Sequence, residues 1–226
     1  MSTTTIPSTH NPFHAGELEE IALFPLPEVS LFPHTIVPLH IFEPRYRQMV
    51  EDALERDMLI AIALPTSAES DPSEDGGLRV HAVAGAGRIV HHERLDDGRF
   101  HVMLRGAGRI RILDELPRER LYRRVRAVWV PSHAVASVQV HTHVASIRAL
   151  VMAMVRSGNR LGALLARFTT DVEDPVILAD LLCAILFASP VERQRLLEQD
   201  DVCVRYERIE GRLAEMLAGE ADALAH

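Results

Sequence analysis

Leu23-Phe24-Pro25-Leu26-Pro27, Leu31-Phe32-Pro33 and Val37-Pro38-Leu39-His40-Ile41-Phe42-Glu43-Pro44-Arg45-Tyr46-Arg47 form the stretch whose reading decides the fold. Large apolar residues are interrupted there by prolines 25, 27, 33 and 38, and proline has no N–H to give to a strand ladder. The pattern predicts edge strands or irregular surface runs beside Phe24, Phe32 and Phe42, followed by a helix. Pro44 fits the first helical position, and Tyr46, Met49, Val50, Ala53 and Leu54 recur at the three-and-four spacing of one apolar face. That helix is expected to pack across a sheet.

Outward from this stretch, residues 1 to 19 are rich in Ser, Thr, Pro and His without periodicity and read as a flexible tail, with order expected near Ile21. From residue 20 to 131 short apolar runs are separated by Pro, Gly and Asp, the signature of short strands and turns. Pro65 to Gly77 is acidic and Ser-rich and reads as an exposed loop. Arg88–Leu95 and Phe100–Ile112 flank Asp96-Asp97-Gly98, whose Asp-Gly predicts a tight hairpin. Beyond Trp129-Val130-Pro131 the period changes to that of helices, so residues 132–220 are expected to form a helical bundle. Helix starts follow from mechanism: Asp174 caps before Pro175, Ser189-Pro190-Val191-Glu192 is a capping box, and Asp200-Asp201 complements a helix dipole. In the last helix Val202, Tyr206, Ile209, Leu213 and Met216 make a seam of about two heptads, which fits packing inside a bundle better than a homodimer interface. The fold class expected is α+β.

A net charge of −8 over 226 residues argues against broad binding of nucleic acid, which needs a surplus of cations. Every basic residue is arginine. A chain without lysine has no lysine nucleophile, no Schiff base and no P-loop lysine. Cys183 and Cys203 lie far apart and read as reduced thiols, and the N-terminus lacks a basic segment followed by an apolar run, so the expected compartment is the cytoplasm. The longest apolar run, Pro175 to Ala188, contains Asp180 and is short of the ~20 residues of a membrane span, so no membrane partner is expected.

No constellation for catalysis emerges. Two near-copies, Ala84-Gly85-Ala86-Gly87-Arg88-Ile89 and Arg105-Gly106-Ala107-Gly108-Arg109-Ile110, lack the third glycine and following helix of a dinucleotide site. Their glycines read as bulges or close strand approaches. His141 and His143 are two apart on a helix, whereas helical zinc pairs stand four apart, and His81, His91, His92 and His101 have no carboxylate or thiolate at ligand spacing. No metal and no cofactor are expected. No serine carries a nucleophile-elbow phrase.

The same Phe-Pro and Pro-Leu-His-Ile-Phe-Glu-Pro-Arg-Tyr phrases, with Gly87-Arg88-Ile89, Asp97-Gly98-Arg99, Leu104-x-Gly106, Arg109 and Pro190-Val191-Glu192-Arg193-Gln194-Arg195-Leu196-Leu197-Glu198, resemble the N-terminal, substrate-recognition domain of Lon proteases in its stand-alone form. The resemblance spans about residues 21 to 218. It implies a PUA-like β-barrel followed by a helical bundle, and a non-catalytic chain that recognises polypeptides. The ATPase and serine-lysine protease modules of a full Lon both need lysine, which these residues lack. The implied partners are unfolded or extended polypeptides and a separate protease that the chain would serve as adaptor. Residues expected to touch polypeptide are Phe24, Phe32, Pro33, His40, Phe42 and Tyr46, through edge pairing in which alternate side chains enter pockets. The competing reading of the same residues is that they fill the core. A second function class, an RNA-binding PUA-like protein, rests on Arg118, Arg120, Arg123, Arg124 and Arg126, which equally fit a solvated face.

Overall fold

The structure, a computed structural model, describes residues 11–66, 78–132 and 138–224, with side chains as far as residue 219. In chain order the elements are β1 (Ile21–Pro25), β2 (Ile36–Ile41), α1 (Pro44–Leu54), β3 (Leu59–Ala63), β4 (Val83–Arg94), β5 (Phe100–Glu115), β6 (Arg123–Val130), α2 (Val138–Arg156), α3 (Arg160–Asp171), α4 (Pro175–Leu186), α5 (Pro190–Glu198) and α6 (Val202–Leu224). They divide into two compact units, Asn11–Pro131 with Ser189–Glu198, and Ser132–Ala188 with the residues from Gln199 onward. The expected loop at 65–77 and the expected tail fall in large part on residues 67–77 and 1–10, outside the described residues.

The sheet unit is a mixed sheet in the order β2-β5-β4-β3-β1-β6. Among the described residues only β1 and β3 pair in parallel. β5 is long enough to pair β2 through its first half and β6 through its second, from Arg109↔Val130 to Glu115↔Val125, so the ladder returns to β5. β3, Leu-Ile-Ala-Ile-Ala, is buried throughout because both its faces are covered. Its alternate side chains part with period two: Leu59, Ala61 and Ala63 join Ile21, Leu23, Ile110 and Val125, while Ile60 and Ile62 join Phe24, Ile41, Phe100, Val102 and Leu104. The second group is where α1 lays Tyr46, Met49, Val50 and Ala53, the face expected from the sequence.

The β4–β5 hairpin closes as a turn in which Gly98 N–H bonds Leu95 O at 2.9 Å and Leu95 N–H bonds Arg99 O at 2.8 Å. Gly98 alone takes a positive φ, +80°, and Asp97 instead accepts the Arg99 N–H at 3.1 Å. The loop is therefore a three-residue turn with glycine at its left-handed position rather than a two-residue turn with two such positions.

The paired glycine phrases have a direct physical role. A Cβ on Gly85 would lie 1.9 Å from the Leu31 carbonyl oxygen, and one on Gly106 would lie 2.0 Å from that of Phe32. The segment Leu31-Phe32-Pro33 runs across the sheet at backbone contact distance, held by His34 N–H to Gly106 O at 2.9 Å and Gly106 N–H to Thr35 O at 2.8 Å. β4 and β5 also shift register between Ala86 and Gly87.

Two expected boundaries move. Packing is already present before Ile21: Phe13 is buried against Gly108, Glu17 pairs with Arg88 at 2.7 Å, and Leu18 O accepts the Ala127 N–H at 2.8 Å. One large aromatic residue anchors a stretch whose composition reads as tail. Helix α5 belongs to the sheet unit and not to the helices around it in sequence. Gln194 Nε2 donates to Val83 O at 2.9 Å, and the buried Arg109 guanidinium donates to Leu197 O at 2.9 Å and Pro131 O at 2.7 Å. A cation at the last turn of a helix is favoured by the helix dipole.

In the second unit α2 packs on α3 and α6, and α4 on α6. Asp174 accepts from Val176 N–H at 2.7 Å and Asp201 from Cys203 N–H at 2.8 Å, as the capping signals require. Within the sheet unit, α5 starts where expected, with Ser189 Oγ accepting the Glu192 N–H at 3.4 Å. The α6 seam of Val202, Tyr206, Ile209 and Leu213 is buried inside the second unit, where Arg205 and Asp180 form an ion pair with both side chains enclosed. α2 is long and apolar enough to cross a membrane by length and composition, a feature that the Pro175–Ala188 run does not share. Its Val140, Ile147, Val151 and Met154 are buried, and Arg148 donates to Thr169 O at 2.9 Å.

Gly106→Ala is expected to destabilise the sheet unit by ~3 kcal/mol or more, because backbone must move to admit the methyl group. Gly211→Ala, in α6 with no atom within 4 Å of its Cβ position, is expected to stabilise by ~0.5–1 kcal/mol. Urea unfolding followed by Trp129 fluorescence reads the first and circular dichroism the second; equal stability of Gly106→Ala and the parent would refute the steric account.

Candidate functional site

A cavity of about 950 Å³ opens in the sheet unit. The Pro-rich run after β1 brings Leu26 and Pro27 to it, the end of β2 brings His40, Ile41 and Phe42, and the first turn of α1 brings Glu43, Arg45 and Tyr46. Its remaining wall comes from Leu64 to Thr66, Leu78, His81, the β5–β6 loop and the first turn of α5. Phe24 and Tyr46 are buried with ring centroids 4.2 Å apart, and the Arg45 guanidinium sits 4.5 Å over the Tyr46 ring. Around them stand large apolar side chains that face solvent: Phe42 is 61% exposed, Leu121 65%, Leu78 54% and Val191 53%. Exposed apolar groups that converge on one concavity mark an interaction surface rather than scattered surface chemistry.

The β5–β6 loop, which carries Leu121, is braced. Leu116 N–H bonds Arg124 O at 2.8 Å, Leu121 N–H bonds Gln48 Oε1 of α1 at 3.0 Å, and the Tyr122 hydroxyl donates to Asp52 Oδ2 at 2.8 Å. Arg123 forms a two-pronged pair with Glu115, both contacts at 2.7 Å. Leu121 is thus exposed on an ordered backbone, which lowers the entropy lost when a partner binds.

Of the six residues expected to touch polypeptide, Phe24, His40, Phe42 and Tyr46 line this cavity. Phe32 and Pro33 do not: both are buried, in the segment that lies on Gly106, and their place is structural. Sequence reasoning missed Leu26, Leu78, Leu121 and Val191. Leu121 had a legible signal, a lone large apolar residue in an arginine-rich loop. Val191 had none, since its capping box accounts for the residues around it.

The arginines behind the nucleic-acid alternative are mostly paired. Besides Arg123, Arg124 bonds Glu20 at 2.8 Å and Glu119 at 3.0 Å, and Arg126 pairs with Asp114. The hydrogen bond from Arg124, with a further one from Arg56, holds the Glu20 carboxyl below the ordinary carboxylate range. Such pairs leave little positive charge for phosphates. The histidines are scattered into pairs, His81 with Glu198 at 2.9 Å, His143 with Glu210 at 3.2 Å, and His40 against His101 with centroids 5.0 Å apart. Among the described residues no three metal-ligating side chains converge.

Burial pushes the Tyr122 hydroxyl up to about 12, reinforced by its bond to Asp52, and burial raises Tyr46 and Tyr206 as well. The unfolded chain loses these protons near the ordinary value of 10, so the stability involved is fully present below pH 10 and is lost as pH rises toward about 12. Phenolate absorbance on alkaline titration is expected to appear only above pH 10, together with loss of structure. A tyrosine that ionises near 10 in the folded protein would contradict this, and Asp52→Asn is expected to lower the Tyr122 value.

Comparison with known proteins identifies the family of the fold. A family model described as the ATP-dependent protease La (LON) substrate-binding domain matches residues 20–215. The chain is 24% identical over 206 residues to Lon protease of Xanthomonas oryzae pv. oryzae, covering 91% of this chain and 24% of that protein. It is 27% identical over 202 residues to Lon protease 2 of Sorangium cellulosum, covering 88% and 25%. It thus spans about a quarter of the length of these relatives. Two solved structures share the fold. The N-terminal domain of the Mycobacterium avium complex Lon protease has a TM-score of 0.68 at 18% identity, covering 86% of this chain and 98% of that one. The Lon N-terminal domain protein from Xanthomonas campestris has a TM-score of 0.60 at 22% identity, covering 84% and 96%. With the family model matched from the first strand into the last helix, the chain belongs to the Lon substrate-binding domain family.

Proposed function

We propose that this chain is a non-catalytic recognition module that binds unfolded or extended polypeptide in the cavity between β2, α1 and the β5–β6 loop. The observation that carries the proposal is the ring of exposed Phe42, Leu78, Leu121 and Val191 around a cavity with Phe24 and Tyr46 in its wall. More than half of each of these side chains remains in water after folding, so its burial by a partner contributes ~1–2 kcal/mol. Family membership supports a substrate-recognition role. In this reading the returning ladder is a PUA-like barrel, α2, α3, α4 and α6 are a helical bundle, and the chain acts in the cytoplasm as an adaptor for a separate protease.

β2 adds a main-chain component. It pairs only with β5, so its other edge is open among the described residues. Pro38, which cannot donate, sits in the middle of this edge strand and limits pairing between copies of the chain. The end of β2, His40 to Phe42, enters the cavity wall, so an extended segment added to this edge places alternate side chains toward Phe42 and Tyr46.

Fluorescence anisotropy with a labelled denatured polypeptide tests the reading. Saturable binding is expected, and Phe42→Ser with Leu121→Ser is expected to weaken it at least about tenfold, since two apolar contacts are lost. Because both side chains face solvent, thermal stability of the variant should change little. Absence of saturable binding to denatured polypeptide, or binding only to single-stranded RNA in a salt-sensitive manner, would overturn it.

A further inference from the structure

We infer that the cavity selects extended segments in which a large apolar residue lies within two positions of an aspartate or glutamate, with Arg118 and Arg120 receiving the carboxylate. The inference rests on the polypeptide-binding reading and adds to it the charge of the preferred segment. The whole chain carries a net charge of −8, yet the carboxylates and guanidiniums that line the cavity are Glu43 against Arg45, Arg118, Arg120 and Arg123. The local sign is opposite to that of the protein.

What matters for a ligand is which of these charges is already used. Glu43 is held by Arg45 through contacts at 2.8 and 2.9 Å, so the single carboxylate and one guanidinium cancel. Arg123 is consumed by Glu115 and by the Leu78 carbonyl at 2.7 Å. Arg120 forms a long ion pair through Nε with Asp52 Oδ2 at 3.7 Å, too far for a hydrogen bond, and that same oxygen already accepts the Tyr122 hydroxyl at 2.8 Å, so the two terminal nitrogens of Arg120 have no bond to a described residue. Arg118 is exposed and makes no hydrogen bond or ion pair with a described residue. Two guanidiniums therefore stand at the rim with bonding capacity to spare, on the same braced loop that presents Leu121.

The placement sets the chemistry. An apolar side chain packed on Leu121 and Phe42 brings its chain neighbours to the rim, where a guanidinium offers a planar fork that matches a carboxylate. A basic neighbour would meet two like charges. A polyphosphate strand needs many more cations than two to replace its counterions, and the neighbouring arginines 124 and 126 are committed to Glu20, Glu119 and Asp114. An acidic peptide is the occupant that uses both the apolar wall and the two cations.

The test uses the full chain and synthetic peptides, acetylated and amidated at their ends, with a Leu-Phe centre flanked by Asp, by Asn or by Lys. At low ionic strength the Asp peptide is expected to bind about fivefold tighter than the Asn peptide, the scale of solvent-exposed ion pairs, with the difference shrinking as salt is added. Arg118→Gln with Arg120→Gln is expected to abolish the difference while keeping the affinity for the Asn peptide, and Arg118→Glu with Arg120→Glu to favour the Lys peptide. Equal binding of Asp and Asn peptides to the parent would overturn this inference and leave polypeptide recognition standing. Failure of all three to bind would remove both. An Asn peptide with a free C-terminal carboxylate that binds as tightly as the Asp peptide would assign the arginines to a chain end and overturn the side-chain assignment.

Discussion

The sheet unit depends on a close crossing of backbone over backbone. Leu31-Phe32-Pro33 lies on β4 and β5 at a distance that leaves no space for a Cβ at Gly85 or Gly106. Protein interiors are too densely packed to absorb such an overlap by small adjustments. This crossing directs the chain into β2 along the first half of β5, and β2 in turn delivers Phe42 and the Pro44 start of α1 to the cavity. The turn itself takes a positive φ at His34, +65°, and is held by Thr35 Oγ1 donating to Phe32 O at 2.7 Å. A glycine phrase with no ligand-binding meaning thus has a positional consequence for the functional site two elements away.

Charge plays two different parts in this unit. Inside it, Arg109 is buried, and its cost of desolvation is offset by carbonyls of Leu197 and Pro131. That arrangement recruits α5, and with it Val191, to the cavity wall. On β6, Arg123 and Arg126 each pair with one carboxylate and the buried Arg124 with two, so an arginine-rich sequence leaves little net positive charge there. In the loop before β6, Arg118 has no such partner among the described residues, and Arg120 has only a long contact with Asp52, at 3.7 Å. Register accounts for part of the difference: Arg123 and Arg126 of β6 meet Glu115 and Asp114 of the paired strand β5, whereas Arg118 and Arg120 stand where the ladder has ended.

The cavity combines a buried aromatic pair, an exposed apolar ring and a braced loop, and this combination is what the proposed binding role rests on. Buried Phe24 and Tyr46 are satisfied by the core they belong to. Phe42 and Leu121 are not, and the backbone of Leu121 is held by the Gln48 side chain at 3.0 Å. Recognition by such a surface asks little reorganisation of the protein and leaves selectivity to the side chains the partner brings.

Much of the local structure was legible in the sequence because it depends on neighbours in the chain. Pro44 with the Tyr46–Ala53 spacing specified α1, Asp174 and Asp201 specified their helix starts, and Gly98 specified a hairpin. The break between α2 and α3 at Ser157-Gly158-Asn159, which the sequence reading did not single out, has Gly158 at φ +80° and Asn159 accepting the Gly162 N–H at 2.9 Å. The family phrases named the class of the chain, and four of six expected contact residues share one cavity. What the sequence could not decide were the relations between distant segments: that Phe13 docks beside Gly108, that Phe32 and Pro33 are covered, that α5 leaves its helical neighbours for Arg109, and which arginines are already paired. Each depends on side chains brought together across tens of residues, and no local periodicity or capping rule encodes such a meeting; it exists only once the backbone has closed around it.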